Sequence, residues 1–203
     1  MKSVIIFDYD GVIADSKEIF MRYFLEGCRR YGVDITTEEE FLRLYEGNMY
    51  ESMLSLGLNK EKILSVVYYM RRGLLENKDR IRMFSGIGEI IKELSSHPLF
   101  IVTSNDTHLV RNFLKSWQID FFEDIIGSDR EASKVKKIKS IMEKYPSSIY
   151  YFIGDTVGDI MEGRKAGAKT VAVTWGWHDE ERLVEAKPDY MVKNPPELLT
   201  IFR

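Results

Sequence analysis

Apolar positions in this chain gather in short uninterrupted runs. The clearest are Val4-Ile5-Ile6-Phe7, Leu99-Phe100-Ile101-Val102, Ile149-Tyr150-Tyr151-Phe152-Ile153 and Thr170-Val171-Ala172-Val173. Weaker ones are Phe121 to Ile126 and Tyr190-Met191-Val192. They are rich in β-branched and aromatic residues and lack polar–apolar alternation, as expected of strands covered on both faces. Helical spacing recurs between them, at about 88–96, 109–117, 135–145 and 158–166. Strands alternating with helices predict βαβ units, hence an α/β fold built on a parallel sheet.

Residues 15–82 break this rhythm. They carry helix-like patterning throughout and no proline. Ser16 stands where it can cap a helix running through Phe20, Tyr23, Phe24 and Gly27. Thr37 and Glu40 have the spacing of a capping box. A further helix is predicted over Lys60 to Glu76. The expected organisation is therefore an α/β core of residues 1–14 and 83–203, interrupted by an all-helical domain of residues 15–82.

Composition narrows the function only by exclusion. Of 203 residues, 44% are hydrophobic and 30% charged, ordinary for a globular protein with a real core. Lys and Arg number 29 against 32 Asp and Glu, a net charge of −3. That balance gives no footprint for nucleic acid or for an anionic membrane surface. Asp8 and Asp10 cut the first apolar run too early for a signal segment, and no run approaches a membrane span. The single cysteine, Cys28, forms no intramolecular disulfide and fits a reducing cytoplasm.

The candidate chemistry lies where strands end. The first strand delivers Asp8-Tyr9-Asp10-Gly11-Val12. Residues two apart on extended backbone point the same way, so Asp8 and Asp10 are expected to face one site if the strand persists. A solvated acidic turn is the plainer alternative. After the 149–153 strand comes Gly154-Asp155-Thr156-Val157-Gly158-Asp159, where Asp155 and Asp159 would share a face of a nascent helix. Helix capping by the same acids is again the plainer reading. Four carboxylates at one sheet edge would repel one another, and a hard divalent cation such as Mg²⁺ relieves that repulsion. Thr103-Ser104-Asn105 follows the second strong strand and offers a hydroxyl and backbone N–H groups at a helix mouth, which suits an anion. Lys134 begins the 135–145 helix, where a cation opposes the dipole. Lys136, Lys137 and Lys139 read as a solvated face, although Lys137 rivals Lys134 for one role.

Taken in order, Asp8-x-Asp10-Gly11, Thr103, Lys134 and Gly154-Asp155-(x)3-Asp159 resemble the four signature motifs of the haloacid dehalogenase superfamily. The stretch from Asp159 to Ala168 is also similar, and the resemblance spans essentially the whole chain. The helical insertion resembles a C1-type cap, and the length is most like the phosphoglycolate-phosphatase-like branch. The resemblance implies a Rossmann-like core and a Mg²⁺-dependent phosphatase acting on a small phosphomonoester. Asp8 would be the nucleophile, forming an aspartyl-phosphate, and Asp10 the general acid and base. Asp8, the backbone carbonyl of Asp10 and Asp155 would hold Mg²⁺, with Asp159 a further ligand or a support. Thr103, Ser104, Asn105 and Lys134 would bind phosphoryl oxygens. The chain departs from the family's common patterns at Val12, where many relatives have Thr, and in lacking a Lys-Pro pair near Lys134.

Asp10 favours phosphoryl transfer, since the dehalogenases of this superfamily lack an aspartate there. The rival readings are a phosphosugar mutase and a phosphonatase using a cap lysine such as Lys17. Outside the enzyme class stand a phospho-acceptor signalling module, which would be shorter, and a non-catalytic binding protein. The implied partner is a small phosphorylated metabolite, with neither nucleic acid nor membrane, and the chain a monomer or homodimer. His97, His108 and His178 show no ligand spacing and are expected at the surface or on helices. Trp175-Gly176-Trp177-His178 is expected either to shield the site or to pack on the domain. Phe20, Tyr23, Phe24 and Tyr31 are expected in the helical domain's core. The turn Glu46 to Tyr50 is the candidate for substrate selection, with Asp15-Ser16 and Met83 to Ser85 as hinges.

Overall fold

The computed structural model describes residues 2–202. In chain order the elements begin with β1 (Ser3–Phe7) and β2 (Ala14–Asp15). Four helices follow: α1 (Lys17–Tyr31), α2 (Glu38–Arg43), α3 (Met49–Ser55) and α4 (Lys60–Glu76). The rest runs β3 (Arg82–Met83), α5 (Ile87–Glu93), β4 (Leu99–Val102), α6 (Thr107–Ser116), β5 (Asp124–Ile126), α7 (Lys134–Lys144) and β6 (Ile149–Gly154). It closes with α8 (Val157–Ala166), β7 (Lys169–Val173), α9 (Glu180–Glu185), β8 (Tyr190–Val192) and α10 (Leu198–Ile201).

Six strands form one parallel sheet in the order β5-β4-β1-β6-β7-β8. The chain builds outward from β1 through β4 to β5, then returns to the other side of β1 for β6, β7 and β8. Such a reversal opens a crevice at the carboxyl ends of the central strands, where α/β proteins bind ligands. The absence of alternation in the strands is explained by burial on both faces. Val4 and Ile6 pack with Phe100, Val102, Phe152, Ile138 and Ile141. Ile5 and Phe7, on the opposite face, are equally buried, and Phe7 meets Phe122 edge to face. Each such side chain contributes roughly 1.5–3 kcal/mol of burial.

The chain divides into two compact units. One joins the residues up to Ala14 to those from Met83 onward; the other is Asp15–Arg82. β2 and β3 form a separate two-stranded sheet where the chain passes between them. In the second unit Ser16 stands at the N-cap position of α1. Thr37 and Glu40 form a reciprocal capping box at α2, with the Glu40 N–H donating to Thr37 Oγ1 and the Thr37 N–H to Glu40 Oε2. Within the 46–50 segment, Asn48 caps α3, accepting from the N–H groups of Tyr50 and Glu51. Phe20 and Phe24 are buried, and Phe24 packs on Phe41. Tyr23 and Tyr31 are only half-buried and line a cavity of about 300 Å³ together with Arg30, Tyr68, Tyr69 and Arg72. Among the described residues no helix is long and apolar enough to cross a membrane.

Candidate active site

The strand ends sooner than the Asp8–Asp10 spacing argument assumes. The Asp8 N–H still donates to Ile153 O at 2.8 Å, as one more rung beside β6. A turn begins directly afterwards: Gly11 has φ +75°, and the N–H groups of Ile13 and Ala14 both donate to Tyr9 O. Turn geometry, not period-two alternation, therefore places Asp10. Asp8 is buried and Asp10 half-buried.

Asp8, Asp155 and Asp159 converge at the carboxyl ends of β1 and β6, with one oxygen from each within 4.8 Å of the others. The Asp10 carboxylate is not in this group; it accepts from Asn105 Nδ2 at 2.6 Å. The ammonium of Lys134, the first residue of α7, donates to Asp8 Oδ2 at 2.8 Å and to Asp159 Oδ1 at 2.6 Å. The other oxygen of Asp159 accepts from Thr156 Oγ1 and the Thr156 N–H, which makes Asp159 the third residue of a capping box for α8. Capping and site membership thus coexist in Asp159. Asp155 precedes the cap. Its Oδ2 accepts from the Trp177 N–H at 2.7 Å, whereas its Oδ1 is buried with no hydrogen-bond partner.

Close approach to Asp155 dictates two glycines. A Cβ on Gly11 would lie 1.9 Å from Asp155 Oδ2, and one on Gly176 would lie 2.3 Å from Asp155 Cβ. Gly11 also adopts a positive φ that disfavours other residues.

These carboxylates are poised for a cation. Burial raises the Asp8 carboxyl to about 7 against the pull of Lys134, with repulsion from Asp159 and Asp10 adding to the rise. Burial also pushes Asp155 well above the usual carboxylate range, and the charges of Asp159 and Asp8 reinforce it. For Lys134, burial opposes the charge, but Asp159 and Asp8 outweigh it and hold the ammonium protonated. An orphaned buried carboxylate oxygen among all-oxygen donors fits a hard divalent ion such as Mg²⁺.

The Thr103 loop closes one side. Thr103 is fully buried, its Oγ1 accepts from the Asn105 N–H at 3.0 Å, and its own N–H donates to Ile126 O. Ser104 is exposed. Helix α6 starts only at Thr107, behind Asp106 at the N-cap position, so residues 103–105 form a loop before the helix mouth.

The two rival lysines separate. Lys134 meets the carboxylates, while Lys137 donates to Thr103 O at 2.6 Å. Lys137 is 1% exposed, which corrects the expected solvated face; Lys136 and Lys139 are exposed as expected. The helix register explains this, because Lys137 lies one turn beyond Lys134 on the same face. Burial lowers the Lys137 ammonium to about 8, helped by the charge of Lys134.

His178 is also a correction: it is 1% exposed, and its Nδ1 accepts from the Val157 N–H at 3.1 Å. Its backbone N–H donates to Asp155 O. Trp175 Nε1 donates to Val12 O. The 175–178 loop therefore brackets the Asp155 segment. Its one sequence signal is a glycine between two tryptophans directly after a strand. His97 is half-buried and His108 exposed. Lys17 pairs with Glu38 at 2.7 Å, which does not prime its amine for imine formation.

Comparison with known proteins fits this geometry. The sequence profile of haloacid dehalogenase-like hydrolases matches residues 5–173. The chain is 25% identical to a phosphoglycolate phosphatase of Synechococcus elongatus, covering 96% of this chain and 94% of that one. It is also 25% identical to pyrophosphatase PpaX of Bacillus mycoides, covering 98% and 96% respectively. A haloacid dehalogenase-like family hydrolase from Streptococcus pneumoniae superposes with a TM-score of 0.82 at 28% identity, covering 100% of this chain and 99% of that one. With the matched profile running from β1 to the end of β7, the chain belongs to the haloacid dehalogenase-like hydrolase family.

Proposed function

We propose that this protein is a Mg²⁺-dependent phosphatase that hydrolyses a small phosphomonoester through an aspartyl-phosphate on Asp8. The observation that carries the reading is the buried cluster of Asp8, Asp155 and Asp159, with Lys134 bridging Asp8 and Asp159 and with Asp155 Oδ1 left without a partner. Phosphatase-named relatives support the same class.

In this reading an Asp8 oxygen attacks phosphorus and the bond from phosphorus to the ester oxygen breaks. Asp10 gives its proton to the departing oxygen; the Asn105 amide at 2.6 Å fixes the carboxyl in place. Asp10 then takes a proton from water as the water attacks phosphorus, the bond to Asp8 breaks, and inorganic phosphate leaves. Lys134 and Thr103 bind phosphoryl oxygens as charge redistributes, and Ser104 and Asn105 in the same loop bind the phosphoryl group. Asp8, Asp155 and the Asp10 backbone carbonyl would hold Mg²⁺, which supplies positive charge beside the phosphoryl group. Asp159, with both oxygens already engaged by Lys134 and Thr156, supports the set by holding the lysine. The helical unit of residues 15–82 serves as the cap that selects the substrate.

The test is phosphate release from a panel of phosphorylated metabolites, including phosphoglycolate and pyrophosphate, with and without Mg²⁺. The expected result is Mg²⁺-dependent release, together with a phosphorylated Asp8 trapped by acid quench and located by mass spectrometry. Isomerisation of a phosphosugar with little phosphate release would replace this reading with a mutase. Full activity after chelation would remove the metal from it.

A further inference from the structure

Lys137 is a buried cation that the mechanism above does not use. Its ammonium is bonded to a neutral backbone carbonyl, Thr103 O, at 2.6 Å. Burying that charge costs desolvation, which a single neutral carbonyl only partly offsets. What the contact does achieve is orientation. In a trans peptide the carbonyl and the following N–H point in opposite directions. Anchoring Thr103 O against α7 therefore turns the Ser104 N–H away from the buried lysine, toward the exposed side of the loop. The Ser104 N–H has no hydrogen-bond partner among the described residues.

The same loop is fixed at two other points. The Asn105 N–H is taken by Thr103 Oγ1, and the Asn105 amide reaches Asp10. The Ser104 donor is thus free, held in place and in the loop whose neighbouring residue touches Asp10. An ammonium on the carbonyl also polarises the peptide and strengthens its N–H as a donor.

We infer that Lys137 is a positioning residue which, by anchoring the Thr103 carbonyl, presents the Ser104 N–H to a phosphoryl oxygen of the substrate. The inference rests on the phosphatase reading above and deepens it. Lys134 acts on the phosphoryl group by its own charge; Lys137 acts through the peptide it holds. A donor that binds the phosphoryl group equally before and during reaction changes KM and leaves kcat in place.

Three readouts test this on the Mg²⁺-loaded protein. In wild type, the Ser104 amide proton is expected to move downfield in NMR when inorganic phosphate saturates the site. Lys137→Met is expected to bind phosphate about tenfold more weakly, with KM for p-nitrophenyl phosphate rising by a similar factor and kcat changing by less than about twofold. Its melting temperature is expected to fall modestly, because the buried Thr103 carbonyl loses its donor, so the split between KM and kcat is the readout that a merely structural role would not move. Lys137→Arg, which keeps a donor, should recover most of the affinity. Phosphate affinity or KM unchanged in a folded Lys137→Met overturns the inference, whatever its melting temperature. So does a Ser104 amide that ignores saturating phosphate, a result that needs no variant to fold. Wild type that neither binds phosphate nor releases it from any ester overturns the phosphatase reading and this inference together; wild type that does both, beside an unaffected Lys137→Met, overturns this inference alone.

Discussion

The two units of this chain handle charge in opposite ways. In the helical unit the ion pairs lie at the surface: Arg22 with Glu26, Arg43 with Glu39 and Arg72 with Glu76, each one helical turn apart. Its interior is apolar, with Ser16 the one buried polar side chain among the described residues. In the α/β unit, Asp8, Lys134, Lys137, Asp155, Asp159 and His178 are all buried. The helical unit is thus stabilised by packing that many sequences could supply. The α/β unit carries charges that packing alone would reject, so their presence points to chemistry.

The largest test of that contrast is Asp8→Asn. Turnover should fall by about a thousandfold or more, since the amide cannot act as the nucleophile, while the protein stays folded. Phosphate-release assays and circular dichroism check both halves, and activity within about tenfold of wild type would sink the assignment. On the other side of the comparison, Phe24→Ala should destabilise by about 3–5 kcal/mol in denaturant titration while leaving Mg²⁺ affinity unchanged. A large loss of Mg²⁺ affinity there would show that the two units do not divide labour in this way.

Smaller effects sharpen the contrast. Gly176→Ala drives a methyl into Asp155 and should reduce stability by about 1–3 kcal/mol, with weaker Mg²⁺ binding by calorimetry. The raised carboxyls set a pH dependence. Asp8 and Asp155 bind protons more tightly folded than unfolded, so the contribution of these two groups to metal-free stability is greatest below the ordinary carboxylate range. That stability is lost as pH rises through about 7, where Asp8 ionises. Metal-free protein should therefore be less stable at pH 8 than at pH 5, on the order of 1–2 kcal/mol, and Mg²⁺ should restore the difference. Thermal denaturation with and without Mg²⁺ measures this; a metal-free protein that gains stability toward pH 8 reverses the sign. The smallest effect is expected for Arg72→Ala. It removes an exposed pair and should change stability by no more than about 0.5 kcal/mol.

Much of the fold was legible because its signals are local. The strands Val4–Phe7, Leu99–Val102 and Tyr190–Val192 are runs whose apolar content reflects burial on both faces, and the Thr37–Glu40 box is complete within four residues. Asp8, Thr103, Lys134, Asp155 and Asp159 stood out because each closes a strand or opens a helix. Lys137 and His178 were misjudged for the opposite reason. Each looks polar and therefore exposed in sequence, and only a distant partner gives it a place inside: the Thr103 carbonyl for one, the Val157 N–H for the other. Asp10 was placed on the right side of the molecule by the wrong rule, because the turn at Gly11 replaces the strand the spacing assumed.

Periodicity, caps and turn residues act over a few positions, and they suffice for the α/β alternation, the helical insertion and the order of the strand-end carboxylates. Tertiary structure alone decided which lysine meets Asp8, which oxygen of Asp155 is left without a partner, and why Gly11 and Gly176 have no side chain. Those outcomes depend on contacts between residues far apart in sequence, from Trp177 and Asp155, 22 positions apart, to Lys134 and Asp8, 126 positions apart. No local pattern encodes a distance of that kind; it exists only once β1, β6 and α7 have packed and water has been excluded from between them.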